Sequence, residues 1–177
     1  MGIFTIVIMI FVVGFGIWYI HLINKMHKLE MIARDAGSDI DGLIWDRNHQ
    51  LSEMLKIIDA KKINCNIVRE KKNMLTIGML PEIQEIVVRE LDEKAKEIYA
   101  VMKENDVLMT DDDFQKHFKK FEQARLDIIT SVLSYNNKAG MYNSYIAGYV
   151  TEFLARHKGM KRKAFFNYIF NEIKEDE

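Results

Sequence analysis

An unbroken apolar run opens the chain. Residues 3–20 read IFTIVIMIFVVGFGIWYI and carry no charge. About 18 to 20 such residues in a helix span the hydrocarbon core of a bilayer. Trp18 and Tyr19 lie near the end of the run, and aromatic rings with one polar corner favour the headgroup layer. The pattern therefore predicts a transmembrane helix that contacts the lipid bilayer through residues 3–22.

A cleaved signal peptide is the alternative for this run. Such peptides have a basic n-region, a shorter apolar core and a small-residue cleavage site, and none of these occurs here. Lys25, Lys28 and Arg34 follow the span, whereas no lysine or arginine precedes it. Because positive residues stay on the cytoplasmic side, we expect a single-pass signal anchor, residues 1–23, in the cell (inner) membrane. The N-terminus is then outside, and the body, residues 24–177, is cytoplasmic.

After the span, apolar positions recur in alternating steps of four and three. Nine of the first eleven such positions are apolar or alanine, and Ile44, Leu51 and Ile58 widen the stripe on one flank. Alternation of this kind is the heptad seam of long helices that pack side by side, as in a coiled coil. The anchor is therefore expected to continue into the first body helix. The seam positions are 22, 26, 29, 33, 36, 40, 43, 47, 50, 54 and 57.

A second seam predicts one long helix over residues 114–153. Thr110, followed by three aspartates, supplies an N-cap and places acidic groups at the positive end of the helix dipole. Only Arg125 departs from the apolar or alanine pattern. The seam consists of Phe114, Phe118, Phe121, Arg125, Ile128, Val132, Tyr135, Ala139, Tyr142, Ile146, Tyr149 and Phe153.

Between these seams a shorter stripe predicts a helix over residues 80–102, with a loop over residues 105–111. Its positions are Leu80, Ile83, Val87, Leu91, Ala95, Ile98 and Met102. Helices joined by short loops run antiparallel. The predicted fold is therefore all-α: an N-terminal transmembrane helix followed by an elongated antiparallel three- to four-helix bundle with long helices.

These pieces resemble the LemA family of bacterial membrane proteins. The motifs that carry the resemblance are Asn24, AGSDID at 36–41, Arg47, Tyr135-Asn136 and Tyr142-Asn143, in that order behind the anchor. The resemblance implies a long up-and-down four-helix bundle at the membrane, without an established catalytic site or cofactor. The chain departs from the family at Gly37, where tryptophan is usual, and at YVTEF, which replaces an aromatic-Pro-Gly turn.

The repeated Tyr-Asn pair is the most distinctive motif. Tyr135 and Tyr142 are seam residues one heptad apart, and Asn136 and Asn143 lie one position round the helix. From there an amide can hydrogen-bond to a neighbouring helix and oppose sliding of the apolar seams. The alternative is an exposed face that binds a ligand.

Arg47 and Arg125 are the two charged residues at seam positions. A buried arginine requires a partner, and the candidates are Asp41, Asp46, Glu53 and Glu122. The alternative is that each guanidinium reaches water while its stem lies along the seam. Either role is structural.

The composition and the motifs of the chain predict no catalysis, cofactor or metal. With 25 basic and 26 acidic residues, no net field attracts nucleic acid. The single cysteine, Cys65, has no neighbours that would bind zinc or activate a nucleophile. Carboxylate-bridged metal sites in helical bundles use paired Glu-x-x-His motifs, whereas this chain has only Asp46-x-x-His49.

The C-terminal tail combines basic and aromatic residues. Lys158, Lys161, Arg162 and Lys163 precede a cluster formed by Phe165, Phe166, Tyr168, Ile169 and Phe170. Such a segment can contact anionic lipid or a partner groove. We favour its packing on the bundle over residues 160–173, as a fourth helix with buried aromatic residues.

The function expected from these patterns is that of a membrane-anchored, non-enzymatic scaffold or interaction module with an unidentified protein partner. A membrane-anchored enzyme with an unrecognised site is one alternative. A phage-type envelope protein built on a signal-anchored coiled coil is another.

Overall fold

The computed structural model describes residues 2–65, 67 and 78–167, and all regular structure within these ranges is helical. The helices are α1 (Ile3–Ala60), α2 (Pro81–Glu104), α3 (Asp106–Met109), α4 (Asp112–Ile146) and α5 (Tyr149–His157). Contacts divide the chain into two compact units. Unit 1 contains Met1–Asp35 and Asn137–Ala164, and unit 2 contains Ala36–Asn136 and Phe165–Glu177.

Helix α1 confirms that the apolar run continues into the body without a linker. Its 58 residues form one helix, and its first part is long and apolar enough to cross a membrane. The large side chains at 3–20 are exposed except for half-buried Tyr19, whereas full burial begins with Met26 and recurs along one stripe. One helix therefore changes from an all-round apolar surface to an amphipathic one.

The buried stripe of α1 shifts from the predicted seam after Ile40. Ile44, Leu51 and Ile58 are buried, whereas the seam positions 43, 50 and 57 are half-exposed. A straight helix has 3.6 residues per turn, so it drifts away from a strict 3.5-residue repeat. The flanking residues Ile44, Leu51 and Ile58 therefore form the core together with the seam residues Arg47 and Met54.

Within unit 2, α1 and α2 run in the same direction. The Gln84 side chain donates to the carbonyl of Gly37 and to Asp41, and further along both helices Arg47 donates to Asp92. The expectation that successive helices run antiparallel is wrong for this pair. Its premise of a short loop fails, since α2 begins only at Pro81 and starts beside the middle of α1.

Helix α4 is antiparallel to α1 within unit 2. Gln50 pairs with His117 at 2.8 Å, and earlier in α1 the Tyr135 ring lies against Gly37. A Cβ atom on Gly37 would lie 3.6 Å from that ring. The glycine therefore provides the space into which Tyr135 packs.

The apolar stripe of α2 is correct only in its second half. Leu91, Ala95, Ile98 and Met102 are buried as predicted, whereas Leu80 and Ile83 are exposed. Gln84 and Val88 occupy the core-facing positions instead. The apolar pattern did not predict which face of α2 is buried here, because the buried residue at position 84 is a hydrogen-bonded glutamine.

The predicted loop at 105–111 contains the short helix α3, and the predicted cap of α4 moves by one residue. Asp111, rather than Thr110, accepts the Phe114 N–H, at 2.8 Å. Lys61 donates to the same carboxylate at 2.7 Å. The hydrogen bond from Lys61, followed by that from Phe114, lowers the pKa of Asp111.

The predicted single helix over 114–153 is wrong at its end. Its seam is confirmed from Phe114 to Ile146, but α4 stops there and α5 starts at Tyr149. The Thr151 hydroxyl donates to the Tyr145 carbonyl at the end of α4. Tyr149 and Phe153, assigned to the seam, are 97% and 73% exposed.

The core of unit 1 joins α5 to parts of α1 and α4. The buried residues are Met26, Tyr142, Ile146, Leu154 and Ala155, and partly buried Tyr19, Leu22, Leu29, Tyr145 and Met160 surround them. Helix α5 therefore packs beside the point at which α1 leaves its apolar run.

Candidate functional site

Asn143 holds the main chain of Lys163 in unit 1. The asparagine Nδ2 donates to the Lys163 carbonyl at 2.8 Å, and the Lys163 N–H donates to Oδ1 of the same amide, also at 2.8 Å. We call this pair of bonds the Asn143 clamp. One side chain thus satisfies both polar groups of one residue's backbone.

Asn136 makes the same arrangement with Phe166 in unit 2. Its Nδ2 donates to the Phe166 carbonyl at 2.8 Å, and its Oδ1 accepts the Phe166 N–H at 2.8 Å. We call this the Asn136 clamp. The two members of the repeated Tyr-Asn motif therefore have equivalent roles.

An asparagine side chain is chemically suited to this role. Its planar amide offers a donor and an acceptor side by side, matching the exchange of N–H and C=O bonds between paired residues of antiparallel strands. Residues 160–167 belong to no helix or strand, so the side chains supply backbone partners that a sheet would otherwise provide. The clamps engage atoms that every non-proline residue carries.

The spacing of the motif also follows from backbone geometry. Asn136 and Asn143 are seven residues apart within α4, a helical rise of about 10.5 Å. Their partners, Phe166 and Lys163, are three residues apart, or about 10 Å of extended chain. The helical rise between the two asparagines therefore matches the length of extended chain between their partners.

Side chains beside the clamps make further contacts. The Lys163 ammonium lies 3.2 Å from the Glu30 carboxylate and 5.8 Å from the centre of the Tyr142 ring. The Phe166 side chain is buried in unit 2, with 3% of its surface exposed. The first clamp therefore holds a basic residue and the second an aromatic one, a Lys-x-x-Phe spacing.

The two seam tyrosines are buried, as the heptad pattern predicts. The Tyr142 hydroxyl has no hydrogen-bond partner among the described residues. Burial, reinforced by the nearby Glu30 carboxylate, raises the pKa of Tyr142 to about 12. Burial also raises the pKa of Tyr135. Both rings thus act as packing groups that remain protonated at neutral pH.

Arg47 and Arg125 converge on one carboxylate in unit 2. Arg47 donates to Asp92 Oδ1 at 2.6 Å, and Arg125 donates to the same oxygen at 3.3 Å. The Arg47 guanidinium also lies 4.5 Å from the centre of the Phe121 ring. Burial lowers the pKa of Arg47, while Asp92 opposes that effect. The ion pair joins α1, α2 and α4.

The sequence did not indicate Asp92 as this partner. Asp41, one of the expected partners, instead accepts the N–H groups of Gly78 and Met79, at 2.6 and 3.3 Å, and the Gln84 amide at 2.7 Å. Its carboxylate therefore anchors the chain before α2. Asp92 lies beside Leu91 on the buried stripe of α2, and a carboxylate at such a position is the available sequence signal.

Glu122 lies near the two arginines. Burial raises its pKa, although Arg47 and Arg125 favour the ionised form and Tyr99 donates a hydrogen bond to it. One of its carboxylate oxygens is buried without a hydrogen-bond partner in the described part of the chain. The group is thus only partly compensated for its burial.

The basic tail is not helical over its described part. Residues 160–167 follow α5 without regular structure, so the predicted helix over 160–173 is wrong for these residues. The remainder, including Tyr168, Ile169 and Phe170, lies outside the described residues. Lys158, Lys161 and Arg162 are exposed, whereas Lys163 is half-buried. Their expected contact with anionic lipid stays a prediction.

The described residues contain no group of three or more His, Cys, Asp or Glu side chains that could hold a metal. Cys65 is a free, half-buried thiol. Comparisons with protein families, curated proteins and solved structures give no match to this chain. The geometry of the clamps and of the arginine cluster is therefore the basis for assigning a function.

Proposed function

We propose that this protein is a membrane-anchored, non-enzymatic interaction module that binds extended polypeptide through the Asn136 and Asn143 clamps. Residues 160–167 of the chain itself occupy the clamps. The observation that carries the proposal is the repeated two-bond exchange between an asparagine amide and a backbone. Recognition of extended chains through backbone bonds, with specificity from neighbouring pockets, is an established mode of peptide binding.

The chemistry beside the clamps supports one class of ligand. Glu30 and the Tyr142 ring favour a cation at one position, and the burial of Phe166 favours an aromatic side chain three residues later. We therefore propose an extended segment with a Lys-x-x-Phe spacing as the ligand class. The chain's own Lys163-Ala164-Phe165-Phe166 is the intramolecular example.

The arginine cluster supports a structural rather than a catalytic role for Arg47 and Arg125. Arg47 is fully buried, and its charge is directed to Asp92 and to the Phe121 face. We propose that this cluster sets the register of a three-helix bundle formed in unit 2 by α1, α2 and α4. Removing one partner of such a cluster is costly because a buried charge remains.

Kinship with the LemA family, suggested by the Tyr-Asn pairs and by Arg47, forms part of the proposal, as does a scaffold role. The apolar start of α1 supports membrane anchoring, and the positive residues that follow it support a cytoplasmic body. An enzyme with an unrecognised site and a phage-type envelope protein remain the competing functions. Binding of a clamp peptide would support the interaction module.

The test uses the full chain in detergent micelles with its own segment displaced. A Lys163→Glu/Phe166→Asp variant should bind a fluorescent peptide of residues 159–167, as followed by anisotropy. The parent chain should bind it at least roughly tenfold more weakly, because its own segment competes for the clamps. Replacing Asn143 with leucine in the displaced variant should also weaken binding roughly tenfold, since a backbone pair is left unsatisfied.

The matched control is the same peptide methylated at the Lys163 backbone nitrogen, which removes one donor and keeps every side chain. It should bind at least several times more weakly than the unmodified peptide. Equal binding of the two peptides, or binding that ignores the Asn143→Leu change, would refute backbone recognition.

A further inference from the structure

Helix α5 has one packed face and one exposed apolar face. Leu154 and Ala155 are buried in the core of unit 1. Tyr149 and Phe153, one helical turn apart, are exposed, and Val150 is partly exposed beside them. Residues four apart lie on the same side of a helix. A nine-residue helix therefore displays an aromatic surface that no described residue covers.

The position of α5 in unit 1 brings this surface close to the end of the apolar span. The core that receives Leu154 and Ala155 also includes Met26 of α1, and Tyr19 and Leu22 pack against it. In the same unit, the Lys25 ammonium lies 4.7 Å from the centre of the Tyr145 ring. Tyr145 lies near the end of α4, just before α5 begins. Tyr19 and Lys25 mark the layer in which an α1 span meets the headgroups.

Basic residues follow the aromatic surface directly. Lys158, Lys161 and Arg162 are exposed, and Arg156 forms an ion pair with Glu152 at 2.7 Å. The acidic Glu30 in the same unit is engaged by Lys163. The end of α5 and the residues after it therefore present positive charge beside exposed aromatic rings, a combination typical of helices that lie on anionic membranes.

We propose that α5 lies on the surface of the same membrane that α1 spans, with Tyr149, Val150 and Phe153 in the interfacial layer. Lys158, Lys161 and Arg162 contact anionic headgroups there. The partner is an anionic lipid bilayer, because the aromatic surface lies beside the end of the apolar span and the exposed basic residues that follow it are complementary in charge to anionic headgroups. The inference rests on the anchoring part of the proposed function and is independent of the peptide clamps.

The test places a nitroxide label on the full chain reconstituted into vesicles. Phe153→Cys and the control Asn137→Cys, an exposed site on α4 in unit 1, are each made in a Cys65→Ser background. Vesicles contain phosphatidylcholine alone or with roughly one quarter phosphatidylglycerol, an anionic lipid. Flotation reports the anchor, while the accessibility of the label to oxygen and to a water-soluble nickel complex reports its depth.

The label at 153 should be several times less accessible to nickel than the label at 137, and more accessible to oxygen, because it enters the acyl boundary. Phosphatidylglycerol should deepen it, and Lys158→Glu/Lys161→Glu/Arg162→Glu should abolish that difference. Each basic residue near an anionic surface changes the binding equilibrium by roughly fivefold.

A label at 153 as accessible to nickel as the label at 137 in both lipids would overturn the proposal and leave a protein partner for this surface. Equal depth with and without phosphatidylglycerol would overturn the assignment of an anionic leaflet. Loss of flotation would instead refute the anchor, so the two failures are distinguishable.

Discussion

The Asn136 side chain and the Phe166 backbone exchange two hydrogen bonds of 2.8 Å each. One side-chain amide thus supplies the donor and the acceptor that a neighbouring strand supplies in a sheet. The same exchange recurs between Asn143 and Lys163. Asparagine is suited to both clamps because aspartate lacks the donor and leucine lacks both groups. The motif that first appeared as a helix seam is therefore also a device for holding an extended chain.

Hydrogen exchange of the full chain in micelles should resolve the two clamps. Asn136→Ala removes the acceptor of the Phe166 N–H, so exchange at Phe166 should rise roughly tenfold or more while the amide of Lys163 remains protected. Asn143→Ala should produce the reverse pattern. Unchanged exchange at both amides in both variants would show that the clamps do not hold the segment in solution.

The region predicted best from sequence is the regular part of α4. Its buried positions follow from the alternating steps from Phe114 to Ile146 because a long helix repeats its environment every heptad. The pattern failed at Gly148, since Tyr149 and Phe153 kept the apolar repeat while facing outward. An apolar residue is evidence of burial only where another element covers it.

Residues that pair across elements were harder to predict. The arginines Arg47 and Arg125 stood out at seam positions, but the position of Asp92 opposite them depends on the direction and phase of α2. The asparagines stood out as a repeat, but their partners are backbone atoms of Lys163 and Phe166. Every non-proline residue carries the same backbone groups, so the sequence could not predict which residues the two asparagines would bind.

The position of the body relative to the membrane is testable by fusion reporters. Lys25, Lys28 and Arg34 follow the apolar run, so a C-terminal fluorescent protein should be bright and a C-terminal alkaline phosphatase inactive. Moving three basic residues in front of residue 3 and replacing these three with glutamine should increase phosphatase activity. An active phosphatase on the parent chain would reverse the orientation.

Tyr142 separates the contribution of a ring from that of its hydroxyl. Tyr142→Ala should cost about 3 to 5 kcal/mol because it leaves a cavity in the core of unit 1. Tyr142→Phe should be neutral or slightly stabilising. The buried hydroxyl has no hydrogen-bond partner among the described residues, so removing it also removes the free-energy cost of burying an unpaired polar group. Thermal unfolding of the full chain in micelles measures both changes. An alanine variant as stable as the parent would mean that the ring is not part of the core.

Asp92 should be the costliest member of the arginine cluster to neutralise. Asp92→Asn leaves Arg47 and Arg125 without the carboxylate on which they converge, and a loss of about 3 to 5 kcal/mol is expected. Arg47→Met should cost less, because it removes one buried charge and retains the contact between Asp92 and Arg125. Asp46→Asn, at an exposed position of α1, is the control and should change stability by less than about 0.5 kcal/mol. Equal losses for Asp92→Asn and Asp46→Asn would remove the cluster from the stabilising core.

Glu122 should make the stability of the protein fall as pH rises, in the opposite sense to most carboxylates. Burial raises its folded-state pKa above the ordinary 4.5, so the unfolded chain releases this proton first. The contribution of protonated Glu122 to the stability of the fold is fully present below pH 4.5. It is lost as pH rises through the folded-state pKa of Glu122. Glu122→Gln should therefore raise the melting temperature at pH values above the folded-state pKa and leave it nearly unchanged below pH 4.5.

Glu53→Gln is the matched control, because the Lys56 hydrogen bond lowers the pKa of Glu53. Loss of the Glu53 carboxylate should reduce stability above pH 4.5. If Glu122→Gln lowers the melting temperature at neutral pH, the interaction of the ionised carboxylate with Arg47 and Arg125 outweighs its burial.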